Sequence, residues 1–161
     1  MPERAVRPAR VIRPPLLLCA ALALTAPAAR AAVSCTAAAS SVAFGTYTPL
    51  QTSALDANGS ITISCTGAVF DTATVSLSPG ASGTYTNRTL TSGASILNYN
   101  LYTSGAYSTV WGNGSGSSST VQTLIWFFAP TATLTVYGAV ASGQDPAPGT
   151  YTDTIMVTVS Y

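Results

Sequence analysis

The chain has 161 residues, of which 47% are hydrophobic and only 7% charged, with a formal net charge of +1 and no histidine. Lysine is absent too, so the usual imidazole base and metal ligand, the Ser-His-Asp triad, the Ser-Lys dyad and Schiff-base chemistry are all unavailable. Arg4, Arg7, Arg10, Arg13 and Arg30 fall at the start and leave Arg88 alone in the rest, which gives no basic patch for phosphates and excludes nucleic acid as a partner.

The leading arginines, the apolar run at 16–29 and the small residues of Ala29-Arg30-Ala31 predict a secretory signal peptide over 1–31. The apolar run is short for a membrane span and Pro27 interrupts it, while Cys19 follows leucines instead of the small residue that lipidation requires. Cleavage after Ala31 leaves 32–161 as one domain without a membrane span. There Arg88 stands against Asp56, Asp71, Asp145 and Asp153, one positive charge against four negative, for a net of minus three. Cys35 and Cys65 are the cysteines of that segment, and an even pair in an exported chain predicts a disulfide.

No helical periodicity follows. A first strand is expected over 42–47, closed by Thr48-Pro49, and a second over 59–66, with Ile61, Ile63 and Cys65 facing inward. Ala73, Val75 and Leu77 alternate in a third, which Ser78-Pro79-Gly80 ends. A short one is expected over 85–90 and a fifth over 97–102, with Leu97, Tyr99 and Leu101 on one face. The Gly/Ser run at 112–120 reads as a mobile loop. Leu124 to Phe128 are apolar in succession, which predicts burial of both faces. Leu134, Val136, Gly138 and Val140 make the next strand. The last is expected over 151–161, with Tyr151, Asp153, Ile155, Val157, Val159 and Tyr161 on one face and mostly hydroxyl side chains on the other. The chain halts there with an apolar edge that no charge blunts, an arrangement that invites another chain to pair. Short strands at this spacing predict an all-β sandwich of two packed sheets.

The remaining chemistry is thin. Asp56-Ala57-Asn58-Gly59 and Asp145-Pro146 read as turns, not as a carboxylate pair or a calcium loop, and the Asn-X-Ser/Thr matches at Asn58, Asn87 and Asn113 are given no function. No catalytic residue, cofactor or metal ligand is expected.

Several segments together resemble the spore coat protein U domain family, which includes subunits of archaic, Csu-type chaperone-usher pili. They are Phe44-Gly45-Thr46-Tyr47, Gly59-Ser60-Ile61-Thr62-Ile63-Ser64-Cys65, Val75-Ser76-Leu77-Ser78 with Gly80, Leu97-Asn98-Tyr99-Asn100-Leu101-Tyr102, Thr109-Val110-Trp111-Gly112, Val136-Tyr137-Gly138, and Gly149-Thr150-Tyr151-Thr152-Asp153-Thr154 leading to Val157-Thr158-Val159-Ser160-Tyr161. The resemblance implies an immunoglobulin-like β-sandwich lacking its last strand, completed first by a periplasmic chaperone and then, at an outer-membrane usher, by the N-terminal extension of a sibling subunit. It places Ile155, Val157, Val159 and Tyr161 at the groove that receives this strand. The implied role is a structural, non-enzymatic pilus subunit, secreted through the periplasm to the cell surface and serving attachment or biofilm formation.

Cleavage after Ala31 would leave only Ala32, Val33 and Ser34 before Cys35, too little for a donor strand, so the subunit is expected to accept a strand without donating one. Trp126, Phe127 and Phe128 are candidates for hydrophobic contact with a surface, although core filling is the preferred reading. The alternative role is a secreted spore-coat or extracellular matrix protein whose sandwich needs no partner.

Overall fold

The structure, a computed structural model, describes residues 33–67, 70–126 and 128–161. The expected signal peptide and Phe127 lie outside the described residues. The strands are β1 (Ser34–Ala39), β2 (Leu55–Thr66), β3 (Phe70–Leu77), β4 (Arg88–Ser92), β5 (Ser95–Tyr102), β6 (Val110–Trp111), β7 (Ser118–Ser119), β8 (Val121–Trp126), β9 (Thr131–Val140) and β10 (Val157–Ser160). A larger sheet runs β1-β2-β9-β5-β6-β7 with β4 also on β5, and a smaller one runs β10-β3-β8. The protein is therefore the all-β sandwich of two packed sheets that the alternation predicts, immunoglobulin-like as the family resemblance implies.

Period-two patterning fills the space between the sheets. Ile61, Ile63 and Cys65 from β2, Leu97, Tyr99 and Leu101 from β5, and Val136 and Val140 from β9 meet Ala73, Val75 and Leu77 from β3 and Ile125 from β8. Trp111 is fully buried among them and donates its indole N–H to the Val75 carbonyl at 3.0 Å, tying the large sheet to the small one.

Cys35 and Cys65 stand directly opposite in the β1/β2 register and are joined by a disulfide across a sequence separation of 30. Loop closure of that length stabilises the fold by about 3–4 kcal/mol, chiefly by restricting the unfolded chain. Reduction, or Cys65→Ala, should lower the urea unfolding free energy by that amount; a change below about 1 kcal/mol would show that the β1/β2 ladder holds without the bond.

Several expectations are corrected. Residues 34–39 form a strand although Ala37, Ala38 and Ala39 are poor strand formers, because β2 supplies a complete ladder. Asp56 to Gly59 lie within β2, paired to β9, instead of forming a turn. Gly59 is there to let Val42 approach, since a Cβ would lie 2.8 Å from Val42 Cγ2. The strand expected over 85–90 starts later, at Arg88. The Gly/Ser stretch expected to be mobile has a defined path: Ser118 and Ser119 pair with β6, and Asn113 Oδ1 accepts from both the N–H and the hydroxyl of Ser115. The strand expected over 42–47 has no ladder, and that expected over 151–161 is laddered only at β10, with one bridge at Thr152.

Candidate strand-accepting groove

The two segments without full ladders face each other. Residue 40 is tied to β2 by Ser40 N–H to the Ser60 carbonyl at 2.9 Å. Tyr47 is held by its hydroxyl, which donates to the Ala141 carbonyl and accepts from the Gln144 N–H, both at 3.0 Å. Between these anchors, the main-chain groups of residues 41–46 make no hydrogen bond among the described residues. Val42 and Phe44 turn inward and sit over Gly138, where a Cβ would lie 2.6 Å from Val42 Cγ1 and 2.8 Å from Phe44 Cζ. Phe44 meets the Tyr99 ring edge-on, with centroids 5.8 Å apart.

The opposite wall is the end of the chain. Thr152 exchanges main-chain hydrogen bonds with Thr91 of β4 at 2.9 and 3.1 Å, whereas β10 pairs with β3 of the other sheet. The segment therefore crosses from the large sheet to the small one, and Asp153 fixes the crossing. Its carboxylate accepts from the Tyr99 hydroxyl at 2.7 Å, the Ala81 N–H at 2.9 Å and the Thr154 N–H at 2.8 Å. Gly80, at φ +70°, is required beside it, because a Cβ there would collide with the carboxylate. Burial pushes the Tyr99 hydroxyl well above its ordinary pKa, and the hydrogen bond and charge of Asp153 push the same way. The hydroxyl therefore remains a donor throughout the physiological range.

Between the walls lies an open, mainly apolar cleft. One part, of about 300 Å³, is floored by Ile61, Leu77, Leu101 and Val136 and flanked by Ile155 and Val157. A wider part, of about 930 Å³, continues along residues 41–47 and past Pro146, Pro148 and Tyr151. Val42, Phe44, Leu90 and Asp153 line both. Among the described residues β10 is the outermost strand of its sheet, paired to β3 on one edge and to no strand on the other. An apolar trough flanked by two rows of unpaired backbone is the geometry that receives an extended strand.

Beneath the cleft, Arg88 is fully buried. Its guanidinium donates to the Ser78 carbonyl at 2.9 and 3.2 Å, the Trp111 carbonyl at 2.7 Å and Asn100 Oδ1 at 2.7 Å, and it lies 5.4 Å from the centre of the Tyr85 ring. Burial lowers its pKa, while the nearby Tyr99, Tyr85 and Asp153 oppose the shift.

Of the residues expected at the groove, Ile155 and Val157 line the cleft, while Val159 packs against the core opposite Val75 and does not line it. Tyr161 is 51% exposed at the end of the chain. Trp126 and Phe128 occupy the β8/β9 turn, which Trp126 and Ala129 close. Leu124, Trp126 and Phe128 are exposed at 74%, 47% and 87%, and among the described residues of this run only Ile125 enters the core. That overturns the preference for core filling at Trp126 and Phe128: side chains alternate along β8, so Ile125 points between the sheets while Leu124 and Trp126 lie on the outer face. The unladdered residues 41–46, Leu90 and Asp153 were not singled out for the groove from sequence, where 42–47 read only as a first strand.

The Spore Coat Protein U domain model matches residues 20–158. The chain belongs to this family. Protein U of Myxococcus xanthus is a spore coat U relative at 30% identity over 131 residues, covering 73% of this chain and 70% of that protein. Among solved structures, the spore coat U fold of this chain resembles one in the CsuC-CsuE chaperone-tip adhesion subunit pre-assembly complex of archaic chaperone-usher Csu pili from Acinetobacter baumannii. The TM-score is 0.58 at 22% identity, covering 81% of this chain and 40% of the solved one.

Proposed function

We propose that this spore coat U protein is a structural, non-enzymatic subunit of a chaperone-usher pilus, exported behind a signal peptide spanning 1–31 and folded as a domain over 32–161. Its groove receives a strand from a periplasmic chaperone and then, at an outer-membrane usher, one from a sibling subunit. Ile155 and Val157 meet the apolar side chains of that strand, with Val159 and Tyr161 at its end. The observation that carries the reading is the pair of unladdered edges, residues 41–46 and β10, on either side of a cleft that opens onto the core. Main-chain hydrogen bonds on both sides would set register, and alternate apolar side chains would fill the trough. Because β1 begins at Ser34 and is consumed by β2, any donor arm of this subunit lies before that residue. Attachment to surfaces or biofilm formation is the role such a fibre serves, with Trp126, Phe127 and Phe128 as its hydrophobic contact.

Co-expression of the signal-bearing chain with a periplasmic pilus chaperone, followed by purification and N-terminal sequencing, tests this. The expected result is a one-to-one complex whose mature subunit begins at Ala32. A stable monomer that needs no chaperone would favour the family's other reading, a secreted coat or matrix protein.

A further inference from the structure

The large sheet carries a second hollow of about 300 Å³, which shares Tyr99 with the groove. Its floor is made by Ala139 and Ala141, small side chains where a larger strand residue would fill the space. Asp56 lies directly across the β2/β9 register from Ala139 and borders the hollow. Tyr102 and Tyr107 form its aromatic wall, their rings nearly perpendicular at 88° with centroids 5.5 Å apart. Tyr107 takes up a left-handed backbone, φ 52°, in a turn closed by its N–H to the Ser104 carbonyl at 3.1 Å. That conformation is strained for an aromatic residue, and strain of this kind collects at ligand sites. Partial desolvation, the charge of the neighbouring Asp56 carboxylate and the hydrogen bond that carboxylate accepts from the Tyr107 hydroxyl all raise the pKa of that hydroxyl.

Charge narrows the class of ligand. The one cation among the described residues, Arg88, is buried and committed to Ser78, Asn100 and Trp111, so among the described residues no cation serves Asp56. An anion meets a carboxylate here, and among the described residues no group of three or more His, Cys, Asp or Glu could hold a metal ion. Electron-rich ring faces beside one carboxylate suit a diffuse organic cation.

We propose that this hollow binds a small organic ammonium ion, with its charge against Asp56 and its carbon groups on the faces of Tyr102 and Tyr107. Tyr99 borders both the hollow and the groove, but Asp56, Tyr102 and Tyr107 border the hollow and not the groove, so the site can fail while the strand-accepting reading holds, and the reverse.

Choline and its uncharged isostere 3,3-dimethyl-1-butanol should be titrated against the exported protein and followed by amide NMR. Choline is expected to shift Asp56, Tyr102, Tyr107 and Ala139 saturably with a midpoint of about 1 mM, and the isostere at least ~10-fold more weakly. Asp56→Asn, an exposed change, should weaken choline by ~10-fold while leaving the remaining spectrum in place. Equal titration by the two probes, an unaltered midpoint in Asp56→Asn, or no saturable shift at tens of millimolar would each overturn the proposal.

Discussion

Arg88→Met is expected to destabilise the protein by about 3–5 kcal/mol, because it strips the donors from two buried acceptors and one half-buried acceptor at roughly 1–3 kcal/mol each. These are the Ser78 carbonyl at the end of β3, the Trp111 carbonyl in β6 and Asn100 Oδ1 in β5. The guanidinium thus links the two sheets through their main chain. Arg88→Lys keeps the charge but not the planar fork, and should recover only part of the loss. Urea unfolding of both variants beside the parent checks this. A loss under about 1 kcal/mol in Arg88→Met would mean that water or relaxation satisfies those acceptors.

The second large effect concerns binding. Val157→Asp places a carboxylate on the groove wall, where an incoming strand would bury it without a partner. The cost of such burial is several kcal/mol, so affinity for a complementing strand should fall at least ~100-fold. Val157 is only half-buried in the isolated chain, so the variant should still fold. Thr158→Asp, one residue on and facing outward, serves as the control and should bind as the parent does. Equal co-purification of the two variants with the chaperone would remove Val157 from the contact surface.

The sandwich was legible in the sequence because its core strands alternate cleanly. Ile61, Ile63 and Cys65 in β2 and Leu97, Tyr99 and Leu101 in β5 all face inward as their spacing requires. The C-terminal alternation is equally faithful: Ile155, Val157 and Val159 are half-buried and Thr154, Met156, Thr158 and Ser160 are exposed. The ladder was less legible, since pattern reports which face is apolar but not whether a partner backbone is present. Residues 42–47 read as a strand for that reason and lie unpaired in the structure.

Other features depend on distant neighbours. Gly59 looks like a turn glycine until Val42 is seen above it. Asp153 looks like one more polar residue until Tyr99 and Ala81 are found on its carboxylate. The apolar run at Leu124 to Phe128 suggested burial of both faces, but β8 keeps the period-two alternation, with Ile125 inside and Leu124 and Trp126 on the outer face. Arg88 stood out as a lone charge, but its burial at the junction of the sheets leaves no periodic trace.

The central claim is that the cleft between residues 41–46 and β10 is completed by a strand from another chain. Amide hydrogen exchange, measured on the chain alone and in complex with its chaperone, addresses it most directly. The account predicts fast exchange at Ala43, Thr46 and Ile155 in the free chain and strong protection of the same amides in the complex. Protection already present in the free chain, or none gained on binding, would contradict it.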